Sequence, residues 1–153
     1  MAEVAVVEKR GYMKFITLAA SIVISNRLVK LTVLTLAAAS LATLLILPTL
    51  TPLLLLSAVS LVASIVLHEF THFVILDTDV VIINESGLIR IEAETDGVRA
   101  ITSALAGPLA PFFTGMAIWH YDPLPAIPFL AHVATLPFDI LGALGVKICE
   151  KQC

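Results

Sequence analysis

With 153 residues, 59% of them hydrophobic and only 14% charged, and a mean hydropathy of +1.01, the chain lies outside the composition of soluble globular domains. The net charge of -3 and the scattering of nine Lys and Arg residues form no basic stripe, which excludes a nucleic-acid footprint. The expectation is an all-α, polytopic membrane protein of about four spanning helices with a small β-hairpin, and no separate soluble module.

Residues 1–27 read as a segment of their own. Glu3 and Glu8 near the start argue against a secretory signal, since no charged-apolar-small cleavage pattern follows. Residues 3–7 alternate loosely, Lys9-Arg10-Gly11 is turn-like, and 12–25 is apolar apart from Lys14. The uninterrupted part, 15–25, is short for a crossing, so this segment reads as a cytoplasmic hairpin or an interfacial stretch, with a fifth crossing as the remaining option.

The main unit is expected over 28–153. Its first span, 28–47, ends at Pro48, and the connection 48–52 is so short that the next helix, 53–76, must return antiparallel. That helix carries His68-Glu69-Phe70-Thr71-His72 and has no charged residue outside this pentapeptide. Histidines four apart share one helical face and can both ligate a metal ion, for which Zn2+ is the chemical preference. The glutamate beside them can serve as general base toward a water. Ser57, Ser60 and Ser64 lead to His68 at spacings of three and four, a polar stripe that reads as small-residue helix packing ahead of a water or proton path.

Residues 79–94 turn to β-branched and charged composition and predict a hairpin about Glu85-Ser86-Gly87, with Ile89, Ile91 and Ala93 on one face opposite Arg90, Glu92 and Glu94. Its edge could hold an extended peptide by strand addition, or it is a solvated connection. A third span at 98–120 contains Ala106-Gly107-Pro108-Leu109-Ala110-Pro111, where two prolines should break or kink it. Trp119 and Tyr121 mark a membrane surface, and His120 reads as interfacial. The last span, 125–148, carries His132 and Asp139, and Cys149 and Cys153 beyond it read as unpaired thiols rather than a metal pair or lipid acceptor.

With four crossings, every Lys and Arg falls on one side or at the adjoining helix ends, so both termini and the hairpin are expected to be cytoplasmic. His68 lies eight residues before 76 and Asp139 nine before 148, which sets both roughly 12–14 Å below the cytoplasmic helix ends. An intramembrane aspartate calls for a partner, and the third metal ligand is the one its depth suggests. His132, about two turns earlier, would lie about 10 Å farther from the cytoplasm on a continuous helix, and Pro137 is where that geometry can bend. It reads as a polar core residue, or as a substrate or transition-state contact.

His68-Glu-Phe-Thr-His72 in one span, Ala106-Gly-Pro-Leu-Ala110 in the next and Leu136-Pro-Phe-Asp139 in the one after resemble, in order, the motifs of the site-2 protease family of intramembrane zinc metalloproteases. The resemblance covers about residues 53–148. It implies that His68, His72 and Asp139 ligate zinc, that Glu69 is the general base, and that the substrate is a transmembrane segment of another protein within the lipid bilayer of the cell membrane. The chain departs from the family pattern at Pro111 and Ile140, where an asparagine and a glycine are usual, and offers His132 or Thr135 near the place of a second asparagine. These two are therefore candidate substrate contacts. The alternatives are a catalytically inactive zinc-binding membrane scaffold of the same fold and, more weakly, an ion-carrying transporter. No pattern in the chain specifies an oligomeric state.

Overall fold

The computed structural model describes residues 3–85 and 88–150. Ser86 and Gly87 of the expected turn, and Cys153, lie outside the described residues, as does the side chain of Cys149. In chain order the elements are β1 (Glu3–Val7), α1 (Tyr12–Ser25), α2 (Arg27–Ile46), α3 (Thr51–Leu76), β2 (Val80–Glu85), β3 (Leu88–Glu92), α4 (Gly97–Trp119), α5 (Pro123–Ala131), a 3-10 turn (His132–Thr135) and α6 (Leu136–Glu150). Helices α2, α3 and α4, and the helical run of α5 through α6 to Leu144, are each long and apolar enough to cross a membrane. Leu28, Leu31, Leu41 and Leu45 of α2 are exposed within the chain, an arrangement unfavourable in water and natural against lipid. This is the architecture of an integral membrane protein.

The boundaries follow from local chemistry. Asn26 separates α1 from α2 because its Oδ1 accepts from Leu28 N at 2.9 Å and Val29 N at 3.2 Å, satisfying two of the backbone donors a new helix leaves free. Asp96 does the same for α4, accepting from Val98 N and Arg99 N, and Asp122 accepts one such donor, Leu124 N, at the start of α5. Pro52 opens α3 and Pro123 opens α5 in first-turn positions, where a missing N–H removes no helical bond. Asp77 closes α3 in the left-handed region at φ 51°.

The expected two-stranded hairpin is part of a three-stranded antiparallel sheet in the order β1-β2-β3. Glu3–Val7 supplies the added strand, pairing Val7 with Val80 and Val4 with Ile83. As the alternation predicts, Ile89, Ile91 and Ala93 turn inward. They pack on a buried cluster of Val7, Phe15, Ala19, Phe73, Leu76 and Ile82, while Arg90 and Glu92 pair outside at 2.9 Å. The Phe15 and Phe73 rings stack with centroids 4.5 Å apart and planes 10° apart, which fixes α1 to the end of α3. A rim of charge closes the cluster. Lys9 Nζ reaches Asp77 at 2.8 Å, and Arg99 lies 3.8 Å from the same carboxylate. The Lys9 hydrogen bond, with the Arg99 and Arg10 charges beside it, holds Asp77 below the usual carboxylate range.

One expectation about the spans needs correction. Helix α4 is continuous through Pro108 and Pro111, both buried, so the prolines do not break it. The disturbance expected at Pro137 is present, and the last span is not one continuous helix. Pro137 has no N–H for the Val133 carbonyl, and the N–H of Leu136 bonds that oxygen instead, tightening 132–135 into a 3-10 turn between α5 and α6.

Candidate metal centre

Helix α3 supplies His68 and His72, and α6 supplies Asp139 at its first turn. Each offers a ligand atom, and these atoms lie within 4.8 Å of one another, so the three residues could hold a metal ion. The imidazoles turn their Nε2 atoms together, 3.1 Å apart. Asp139 Oδ2 is 3.6 Å from His68 Nε2, and Oδ1 is 4.0 Å from His72 Nε2. Ligands about 2.0–2.1 Å from a tetrahedral ion stand about 3.3 Å apart. The histidine pair meets that spacing, and the aspartate approaches it from slightly too far. Two ring nitrogens this close need a shared proton or cation between them, and a carboxylate facing both adds the charge a divalent ion would neutralise.

The surroundings are built for this approach. A Cβ at Gly107 would overlap the His72 imidazole, so only glycine lets the α4 backbone pass the ring. Gly115 repeats the device further along, where a Cβ would lie 2.8 Å from Phe129 Cβ on α5. Ser103 Oγ stands 3.0 Å from His72 Nδ1. The hydroxyl of Thr135, expected among the substrate contacts, lies 3.0 Å from Asp139 Oδ2 and 2.9 Å from the His132 carbonyl oxygen, so its one proton can be given to either, and the Asp139 carboxylate is within its reach.

The His132 ring lies 4.9 Å from the His68 ring, centroid to centroid, and its Nε2 lies 3.3 Å from Ser64 Oγ, one helical turn before His68 on α3. Among the described residues, the buried Nδ1 atoms of His68 and His132 have no protein hydrogen-bond partner. Glu69 is half-buried on the turn between the two α3 histidines. Ser57, Ser60 and Ser64 are buried, and the hydroxyls of Ser57 and Ser64 donate to the Leu53 and Leu61 carbonyls of their own helix.

Sequence reasoning singles out His68, Glu69, His72 and Asp139 but misses Ser103, which carries no motif. Only the spacing of four between Ser103 and Gly107, which puts both on one face of α4, could have drawn attention to it.

The fold and site together define a class: a helical membrane protein with a two-histidine, one-carboxylate group, His68 buried and His72 and Asp139 half-buried, able to hold a metal ion. No family model, no curated protein and no solved structure matches the chain.

Proposed function

We propose that the protein is an intramembrane zinc metalloprotease that hydrolyses peptide bonds in transmembrane segments of other membrane proteins. The observation that carries this reading is the convergence of His68, His72 and Asp139, from helices separate in sequence, beside a glutamate on an apolar helix. The His-x-x-x-His pair with a carboxylate third ligand is a donor set suited to zinc. A bound zinc supplies Lewis-acid chemistry, polarising a peptide carbonyl and acidifying water.

In this reading His68, His72 and Asp139 hold the ion, and Thr135 orients Asp139. Glu69 takes the proton from the attacking water and hands it to the leaving amine, a role worth about 10²–10⁴ in rate. His132, in the wall beside His68, contacts the substrate backbone. The one-sided distribution of Lys and Arg supports cytoplasmic termini and a site that opens toward the cytoplasmic face of the cell membrane.

Purified wild type and Glu69→Gln, each offered a model transmembrane substrate with zinc content measured, test the proposal. Cleavage by wild type and not by the variant, at equal zinc, is expected. Equal zinc with no cleavage by either would favour the second reading, a zinc-binding scaffold that grips a transmembrane helix. The specific observation on that side is the departure from the protease pattern at Pro111 and Ile140.

A further inference from the structure

The two imidazoles of the metal group are held unequally. His68 Nδ1 is buried with no protein partner among the described residues, whereas His72 Nδ1 faces a hydroxyl. That hydroxyl belongs to Ser103, which is 3% exposed, and its Oγ lies 3.0 Å from His72 Nδ1 and 3.4 Å from the His72 carbonyl oxygen. A serine hydroxyl has one proton and two acceptor lone pairs. With its proton directed at the carbonyl, its acceptor side meets Nδ1, which must then carry the N–H. In a neutral imidazole this leaves Nε2 as the bare lone pair, and Nε2 is the atom that faces His68 and Asp139. Gly107 adds a second constraint from the same face of α4, because its backbone leaves room for the ring and for nothing larger.

We propose that Ser103 is a positioning residue for His72. It selects the Nδ1–H tautomer and the ring orientation that present Nε2 to a metal, and this role rests on the metal-site reading above. His72 is then the fixed member of the pair and His68 the adaptable one. Outer partners of this kind typically change metal affinity by about 10–100-fold when removed.

The test uses the full chain, without metal and with it. Nitrogen-15 spectra of the histidine rings in the metal-free protein report the His72 tautomer directly, and chelator competition reports zinc affinity. Wild type is expected to hold His72 as Nδ1–H. Ser103→Ala is expected to mix or invert the tautomers and to weaken zinc binding by about 10–100-fold. Ser103→Thr and Ser103→Val, alike in shape, hold packing constant, and only the threonine should keep the wild-type tautomer and affinity. Ser57→Ala removes a buried hydroxyl bonded to the Leu53 carbonyl and should alter neither readout. An unchanged His72 tautomer and unchanged zinc affinity in both Ser103→Ala and Ser103→Val would overturn the proposal while leaving the metal site standing. A wild type that binds no zinc, yet whose His72 tautomer still depends on Ser103, would overturn the metal-site reading and support the hold of Ser103 on the ring.

Discussion

Helix α3 has two faces of opposite character within three turns. One carries Phe70, Phe73 and Leu76 into the cluster formed with α1 and the sheet, where contact is apolar and aromatic. The other carries Ser64, His68 and His72 toward α4, α6 and the 3-10 turn, where hydroxyls, a carboxylate and a side-chain-free glycine meet them. The first face gains from area and shape, so it tolerates changes that preserve volume. The second gains from a few directed contacts between groups that are costly to bury unpaired, so single atoms decide its outcome. The apolar face sets where α3 lies, while the polar face determines what it can hold.

The largest separation between the faces is expected from the double variant His68→Ala/His72→Ala, which should lose zinc entirely by metal analysis while its helical content stays that of wild type. Full zinc retention there would remove the site. Phe73→Ala probes the opposite face. Deleting this ring, 1% exposed and stacked on Phe15, should lower stability by about 3–5 kcal/mol. Zinc stoichiometry in the folded fraction should not change, and a denaturant titration followed by metal analysis would reveal any coupling that breaks the distinction. Gly107→Ala should cost less stability, about 1–3 kcal/mol of overpacking, and should still displace His72 and lower zinc affinity. A variant with wild-type affinity would mean that α4 can retreat from the ring.

The smallest effect concerns the charged rim. Asp77 has a carboxyl held below its ordinary value, so its tie to Lys9 contributes stability above the unfolded-state pKa of about 3.9. That contribution is lost as pH falls through the lower folded value. Hydrogen exchange in β1 and at the start of α4 should therefore quicken below about pH 4, and high salt should imitate the change at neutral pH.

Much of this molecule was legible in its sequence, and what escaped has identifiable causes. The long apolar runs and the His68–His72 spacing are local signals, and the inward face of β3 followed from period-two alternation. Strand β1 was readable only as loose alternation because Val4, Ala5, Val6 and Val7 offer no polar contrast, and its partner lies more than seventy residues away. Pro137 announced a disturbance in the last span. That the disturbance is a 3-10 turn depends on which backbone donor replaces the missing one. Ser103 stayed hidden because a serine inside an apolar helix is ordinary until the crossing of α3 and α4 gives it a ring to meet.

The Phe15–Phe73 stack also has a mechanical consequence. Phe73 directly follows His72 on a rigid helix, so the stack acts as a bearing that fixes the rotational setting of α3. A turn of about 10° would carry a group about 6 Å from the axis through about 1 Å. In enzymes, misplacement of reacting groups by that much costs about a hundredfold in rate. The angular tolerance of the candidate metal group is therefore set by an aromatic contact between residues that are not members of it.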